Sequence, residues 1–307
     1  MFILSNALAK QRKVIGNIAT GSLVVCFICV SLALLVRGVT ASRFPIANLY
    51  ESLLLLSWGL LVAFLALSLK KQLPYLGWLT AMAVSAVFLY ASWLPASQHE
   101  IRPLMPALVS YWRVIHVPPL IVSYAFFLLS GLLSMIHLWL SGRRKTALAC
   151  VAACVVSVSS IYLGTFSILP AANVQLLFWG GTAATVALIL SMLFKEKGLP
   201  CTPTATSDTV EEVAQRCIAL AFPLLTFGII TGALWANHAW GSYWSWDPKE
   251  SMSLATWFSY ATYLHLRARH QLSSDTLSVC AVMGLLITLL TYLGFSFLGL
   301  GGLHSYG

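Results

Sequence analysis

The sequence predicts an all-α integral membrane protein, a polytopic bundle of about eight or nine transmembrane helices. Of its 307 residues, 59% are hydrophobic and only 9% are charged, and the mean hydropathy is +0.85. A soluble domain carries about 25% charged residues, so this composition excludes an ordinary globular protein. Successive apolar runs of about 20 residues are each long enough to cross a bilayer as a helix. Because these runs are uninterrupted rather than alternating, they favour helices over a β-barrel.

Nine helices are predicted from the hydropathy pattern along the chain. They cover residues 14–36, 49–69, 73–93, 118–141, 147–169, 174–194, 217–237, 251–268 and 277–299. The first helix follows a basic cluster at 10–13, and its apolar run is too long for the core of a signal peptide. The pair 147–169 and 174–194 is alternatively one irregular hairpin.

The distribution of basic residues predicts the orientation of the chain. With the N-terminus on the cytoplasmic-equivalent side (the n-side), 13 of the 18 lysines and arginines fall in n-side loops, and 5 fall on the opposite p-side. Positive charge accumulates on the n-side of membrane proteins, so the C-terminus is expected on the p-side. The net charge of +9 is therefore explained by topology, and no nucleic-acid partner is expected.

The same pattern predicts three regions along the chain. Residues 1–141 hold the N-terminal helices and a p-side loop with histidines, 94–117. Residues 142–216 hold further helices and an n-side linker, 195–216, whose Thr, Ser and Pro are typical of a solvated connector. Residues 217–307 hold a tryptophan segment, 235–250, with its flanking helices and a p-side tail.

The tryptophan segment holds four of the chain's 11 tryptophans, Trp235, Trp240, Trp244 and Trp246. Indoles offer flat apolar faces beside one polar N–H, so this segment is a candidate platform for a large planar ligand. An interfacial aromatic belt is the alternative interpretation, but four indoles within twelve residues exceed what a belt needs.

The end of the tryptophan segment has the pattern of a helix N-terminus. Asp247 is predicted as the N-cap, Pro248 as the first helical residue, and Glu250 as the third residue of a capping box. This role for Asp247 is compatible with a ligand platform, because the cap fixes where the tryptophans stand.

The histidines are the candidate ligands of the chain. His116 precedes a predicted helix on the p-side, and His304 follows the last helix on the same side. His265 and His137 lie within predicted spans, where an ionisable residue suggests function by default. The alternative for both is a hydrogen-bonded packing role, which we favour for His137. The remaining histidines are predicted in loops: His99, His238 and His270.

His265 shares one face of its predicted helix with an apolar stripe. The stripe residues follow i, i+4, i+7 and i+11 spacing: Leu254, Phe258, Ala261 and His265. His265 is therefore expected to face whatever this stripe packs against.

Two p-side histidines on either side of an aromatic segment suggest haem as the ligand. Haem iron takes neutral imidazole nitrogens as axial ligands, and the macrocycle needs a flat apolar surface. Retinal would need a lysine within a span, whereas Lys249 lies in a loop. Zinc or copper would need ligands clustered in sequence. Arg113, three residues before His116, is a candidate partner of a haem propionate or a positioning charge for its loop.

Several stretches of this sequence resemble one family of cytochrome c maturation proteins. The run 240–250 resembles the WWD domain of haem-handling proteins. The flanking runs resemble the CcsA type of the Ccs (system II) pathway, especially its plastid and cyanobacterial members, and fit the CcmC and CcmF types less well. The runs that carry the resemblance are 44–52, 112–116, 235–247, 263–265 and 302–307.

The resemblance implies a haem-delivery subunit of a cytochrome c synthase. Haem b would be its ligand and substrate, and the complex would attach haem to the Cys-x-x-Cys-His motif of apocytochrome c. The implied partners are a CcsB/ResB-like membrane protein, apocytochrome c and thiol-reducing proteins. The implied location is the thylakoid membrane with the tryptophan segment on the lumenal side, or alternatively a bacterial plasma membrane. A haem channel or chaperone without ligation activity is the alternative function.

The resemblance also implies residue roles. His116 and His304 would ligate haem iron on the p-side, and His265 would take haem within the membrane. The haem platform would comprise Trp235, Trp240, Trp244, Trp246 and Asp247. No catalytic residue is assigned. His238 stands where plastid members usually have an acidic residue, and no role is assigned to it.

Overall fold

The structure, a computed structural model, describes residues 2–68, 74–104, 109–165 and 205–294, and all regular secondary structure in these ranges is helical. The helices are α1 (Phe2–Ala41), α2 (Leu49–Ser68), α3 (Pro74–Ser92), α4 (Ala96–His99), α5 (Tyr111–Leu140), α6 (Arg144–Thr165), α7 (Ala205–Trp240), α8 (Pro248–Ala268) and α9 (Ser274–Leu289). A π-helical turn, Leu290–Gly294, continues α9.

The prediction of an all-α membrane protein is confirmed, with helices at eight of the nine predicted positions. The ninth position, 174–194, lies outside the described residues. Five stretches of the described helices are long and apolar enough to cross a membrane: Asn17–Ala41, Leu49–Ser68, Tyr111–Leu140, Ser207–Trp240 and Ser274–Gly294. A shorter apolar helix covers Leu76–Ser92. The total of nine spans remains a prediction.

Helix α7 begins earlier than the sequence pattern suggested, within the stretch predicted as a linker. Its first turns bury residues at i, i+3, i+4 and i+7 spacing, the pattern of an amphipathic helix: Val210, Val213, Ala214 and Cys217. The polar composition suggested a solvated connector, but Glu211 pairs with Arg267 of α8 and is itself buried. Packing of the apolar face therefore outweighs the polar composition here.

Helix α5 also begins earlier than predicted, at Tyr111 rather than at residue 118. The Ser110 hydroxyl caps it by accepting the Trp112 backbone N–H at 3.3 Å. Pro118 and Pro119 lie inside the helix, where each removes one backbone hydrogen bond. His116 is consequently a helical residue, one turn and a half into α5, rather than a loop residue before it.

The chain divides into two compact units, Met1–Val109 and Ser110–Gly307. In the first unit, α1, α2 and α3 pack against one another and α4 packs against α2. In the second unit, α5 packs along both α7 and α9, and α8 packs against α7 and α9. The region boundaries at 141 and 216 remain predictions.

A buried ionic cluster lies at one end of the first unit. The Glu51 carboxylate, with no solvent exposure, accepts hydrogen bonds from Arg37 Nε at 2.9 Å and Arg43 Nη1 at 2.9 Å. It also accepts the Ala47 backbone N–H at 2.6 Å. Arg37 Nη2 donates to the His99 carbonyl at 2.9 Å. The cluster therefore joins the end of α1, the start of α2 and the end of α4.

An aromatic stack forms the centre of the second unit. The rings of Phe127 on α5 and Tyr260 on α8 are stacked, with centroids 3.6 Å apart and an interplanar angle of 5°. Both side chains are buried. Near this stack Thr256 on α8 and Thr291 in the π-helical turn share a hydrogen bond of 2.8 Å. These contacts hold α8 against α5 and the end of α9.

Candidate functional site

The tryptophan segment is half helical and half irregular. Helix α7 carries Trp235 and ends at Trp240, while Trp244 and Trp246 lie in the irregular link before α8. Gly241 ends the helix with a φ of +78°, a conformation that glycine adopts without steric cost. Its N–H donates to the Asn237 carbonyl at 2.9 Å.

The predicted capping box at the start of α8 is confirmed. The Asp247 side chain accepts the Lys249 backbone N–H at 2.9 Å, and Pro248 occupies the first turn. The Glu250 carboxylate accepts the Asp247 N–H at 3.3 Å and the Ser245 N–H at 2.8 Å. Desolvation lowers the pKa of the Lys249 ammonium, and the nearby Asp247 carboxylate opposes this shift. The cap therefore fixes the link that carries the second tryptophan pair.

The four tryptophans form two pairs rather than one flat surface. Trp235 and Trp240 have centroids 5.1 Å apart at an interplanar angle of 56°. Trp244 and Trp246 have centroids 5.8 Å apart at 87°. Trp235 is buried, whereas Trp246 is 70% exposed and has a φ of +59°. Trp240 and Trp244 are half-buried, so the segment runs from the buried Trp235 to the exposed Trp246.

His116 lies against the first tryptophan pair. Its imidazole is stacked near the Trp235 ring, with centroids 5.8 Å apart and planes 26° apart. Its Nδ1 lies 2.7 Å from the Gly228 carbonyl oxygen on α7. The side chain is half-buried. The structure therefore brings together His116 and Trp235, which are 119 positions apart in the sequence.

Two glycines of α7 make room for this contact. A Cβ at position 232 would lie 2.5 Å from Cε1 of His116, closer than side chains tolerate. A Cβ at position 228 would collide with the Leu120 side chain. Glycines four residues apart let two membrane helices approach closely. The glycine pair is thus the reason that His116 can reach the α7 backbone.

The hydrogen bond to Gly228 fixes the tautomer of His116. A carbonyl oxygen accepts only, so Nδ1 carries a proton and donates, and in a neutral ring the lone pair is then on Nε2. Metal-bound histidines commonly donate their second ring N–H to a backbone carbonyl. The tautomer and orientation of His116 therefore fit a haem-iron ligand that binds through Nε2.

Arg113 lies one turn before His116 on α5. Residues at i and i+3 share a helix face, and Arg113 is buried. A buried guanidinium near a candidate haem ligand fits a propionate partner. Its role as a propionate partner or a positioning charge remains a prediction.

The structure places His265 on the exposed side of α8. Phe258, one member of its predicted stripe, is also exposed, whereas the buried face of α8 carries Thr256, Tyr260 and Tyr263. His265 therefore does not serve as an internal packing residue within the described part of this chain. Its side chain is exposed among the residues that the structure describes.

His304 lies outside the described residues, so its pairing with His116 remains a prediction.

The packing role favoured for His137 agrees with the structure, because His137 is buried and contacts Ser207 and Asp275. His99 Nε2 contacts the Ala91 carbonyl at 3.0 Å. His238 is exposed at the end of α7, and His270 is exposed in the turn after α8.

Three residues that shape these sites were not predicted from the sequence. Gly228 and Gly232 carry the signal of small residues four apart, which could have been recognised in the seventh predicted span. Glu51 lies in a run that carries the family resemblance, but no local pattern indicates that it is buried between two arginines. That pairing depends on contacts between helices.

Comparison with known proteins agrees with this picture. Residues 46–304 match the family described as Cytochrome C assembly protein. The chain is 38% identical over 296 residues to the cytochrome c biogenesis protein CcsA of Synechococcus elongatus, covering 96% of this chain and 89% of the relative. It is 36% identical to CcsA of Pyropia yezoensis, covering 95% and 88%, and 34% identical to CcsA of Porphyra purpurea, covering 100% and 92%. The chain therefore belongs to the cytochrome c assembly protein family, within its CcsA group.

Proposed function

We propose that this chain delivers haem to apocytochrome c as the CcsA-type subunit of a cytochrome c synthase. One observation carries the proposal. His116 donates from Nδ1 to the Gly228 carbonyl and stacks near Trp235, an arrangement that fixes the orientation of its imidazole beside the tryptophan segment. Membership in the cytochrome c assembly family gives this histidine a haem-related context.

In this proposal the chain's residues bind and orient haem rather than react themselves. His116 and His304 would hold the haem iron as its two protein ligands. Trp244 and Trp246 would contact the macrocycle, while Trp235 supports the His116 ring from within the protein. Asp247 acts through its cap, which sets the position of these two indoles.

Covalent attachment needs little chemistry from the protein. Haem supplies two vinyl groups, and each cysteine thiol of the Cys-x-x-Cys-His motif adds across one vinyl, so that no group leaves. The contribution of this chain is to hold the haem vinyl groups close to the cysteine thiols, which is catalysis by positioning. Thiol-reducing proteins keep the apocytochrome cysteines reduced for this step.

His265 is proposed to take haem within the membrane before it reaches the His116 site. Its exposure on the outer face of α8 supports this role, because an exposed histidine is accessible to a second chain. A CcsB/ResB-like partner would contribute the facing histidine. The cyanobacterial and plastid relatives support the thylakoid membrane as the location. The distribution of basic residues supports the lumenal side for the tryptophan segment.

The test is to co-purify the chain with its CcsB/ResB-like partner, record the reduced visible spectrum, and then add reduced apocytochrome c. We expect bands of bis-histidine haem, followed by haem that stays attached to the cytochrome under denaturing conditions. Haem bands without covalent attachment would favour the alternative of a haem channel or chaperone. A complex that binds no haem would contradict the proposal.

A further inference from the structure

His137 is a buried histidine that the proposed function does not use. It lies near the end of α5, only 2% exposed, where the first turns of α7 and α9 meet it. Nδ1 lies 3.1 Å from the Ser207 carbonyl oxygen of α7. Nε2 lies 3.2 Å from Oδ1 of Asp275 at the start of α9.

Both ring nitrogens of His137 therefore face oxygen acceptors. A neutral imidazole has one N–H, so one of its nitrogens would direct a lone pair at an acceptor. An imidazolium has two N–H groups. It donates from Nδ1 to the Ser207 carbonyl and places the positive charge at Nε2 within ion-pair distance of Asp275, although the Nε2 contact does not have hydrogen-bond geometry. The Ser207 hydroxyl also lies 3.1 Å from Nδ1 and offers the rival arrangement, in which it donates to a neutral ring. That arrangement leaves the Ser207 carbonyl facing a lone pair at the same distance, which is repulsive.

Two carboxylates, those of Asp275 and Glu211, oppose the cost of burying a charged His137 ring. Asp275 also accepts a hydrogen bond from Arg143 Nε at 3.0 Å, so a carboxylate already paired with one cation lies against the His137 ring. Glu211 of α7 acts on His137 at longer range and is paired with Arg267 of α8. Among the described residues around His137, both carboxylates favour the imidazolium, and each is also paired with an arginine.

His137 and His116 contact the same neighbouring helix in the same way. Each places Nδ1 against a backbone carbonyl of α7, His116 at Gly228 and His137 at Ser207. His137 lies 21 residues after His116, and Gly228 lies 21 residues after Ser207, as an antiparallel pair requires. At 1.5 Å per residue the two contacts are about 32 Å apart. Together they fix the register of α5 on α7 at both ends.

We propose that His137 is held as an imidazolium whose contacts with Ser207 and Asp275 link α5 to α7 and α9. We call this pair of contacts the clasp, and it fixes the register in which His116 meets Gly228 and Trp235. His137 is thus a positioning residue. It is not a haem ligand, because a doubly protonated ring has no lone pair for iron. The clasp itself is independent of haem, whereas its effect on haem rests on the proposed function.

The protonation state is tested by NMR of the full chain with 15N-labelled histidine, purified with its partner and without added haem. His137→Gln identifies the His137 signals by their loss. We expect both ring nitrogens to carry protons at neutral pH in the wild type and in Ser207→Ala, but not in Asp275→Asn. A neutral His137 in the wild type would overturn the proposal, and so would an imidazolium that becomes neutral in Ser207→Ala.

The positioning role is tested on His116 in the same samples. The Nδ1–H signal of His116 reports its hydrogen bond to Gly228. We expect this signal to shift or broaden in His137→Gln and to return towards its wild-type position in His137→Lys, which restores a cation. In the wild type it should change as the pH rises and His137 deprotonates. A His116 signal indifferent to both variants and to pH would overturn the clasp.

The haem bands of the complex distinguish a failure of the His137 positioning role from a failure of the proposed function. In the haem-loaded complex, we expect the bis-histidine bands to weaken several-fold in His137→Gln and to recover in His137→Lys. Wild-type bands in both variants would overturn the positioning role and leave the proposed function intact. Absence of haem from the wild-type complex would contradict the proposed function, while the NMR results would still decide the protonated clasp.

Discussion

Gly232 of α7 lies directly against the imidazole of His116 of α5. Any side chain here would displace the ring, because a Cβ would approach ring Cε1 to 2.5 Å and Nδ1 to 2.7 Å. The same imidazole is held at Nδ1 by the Gly228 carbonyl. The position of the candidate haem ligand is therefore set by two glycines in the neighbouring helix, one through its carbonyl and one through its missing side chain.

Replacing Gly232 with alanine should displace His116. The added methyl group overlaps the ring, and overpacking of this kind costs about 1–3 kcal/mol. We expect a lower melting temperature in detergent and weaker bis-histidine bands in the haem-loaded complex. Gly21→Ala is the matched control, because a Cβ at position 21 meets no atom within 4 Å. Equal behaviour of the two variants would show that the glycine contact does not position His116.

Two substitutions of Asp247 should separate its capping role from a role of its charge. Asparagine caps a helix about as well as aspartate, whereas alanine costs about 1 kcal/mol. If Asp247 acts through the cap, Asp247→Asn should keep nearly full haem occupancy and Asp247→Ala should reduce it. The intensity of the haem bands in the reduced spectrum measures haem occupancy. An equal loss of haem in both variants would show that the carboxylate charge, and not the cap, is needed for haem binding.

Replacing His265 with alanine should lower haem occupancy at the His116 site without destabilising the fold. The side chain is exposed on α8, so little packing is lost. We expect a several-fold reduction in bound haem at an unchanged melting temperature. His270→Asn is a suitable control, because His270 is also exposed and asparagine tolerates its φ of +53°. Unaltered occupancy in His265→Ala would remove His265 from the haem pathway.

Replacing Glu51 with glutamine should strongly destabilise the first unit. Arg37 and Arg43 would lose their shared counter-charge in a buried site, and breaking a buried ion pair costs about 3–5 kcal/mol. Thermal unfolding in detergent measures the loss. Glu100→Gln is the control, because its pair with Arg102 is exposed and contributes little. Similar melting temperatures for the two variants would contradict a structural role for the Glu51 cluster.

Features that depend on neighbouring residues along the chain could be predicted from the sequence. Apolar runs fixed the positions of the helices, because a membrane span must satisfy its backbone hydrogen bonds within itself. The capping box at Asp247 and Glu250 could be predicted equally well, since the cap is formed by residues that are close in the sequence. The stretch from Trp235 to Trp246 stood out by composition alone.

Features that depend on contacts between helices could not be predicted in the same way. The first turns of α7 are polar in composition and became helical because Val210 and Val213 pack inside. Pro118 and Pro119 suggested a helix start, but the Ser110 cap lies a further eight residues back. The charged surroundings of His137 are supplied by α7, α9 and the residue before α6, which no local pattern relates to it.

The most direct test of the central claim is the reduced visible spectrum of the His116→Gly complex, recorded with and without added imidazole. Glycine leaves space where the His116 ring stood, so free imidazole can occupy it and bind the iron. We predict that the bis-histidine bands disappear in the variant and return when imidazole is added. Unchanged bands in His116→Gly without imidazole would show that His116 is not an iron ligand.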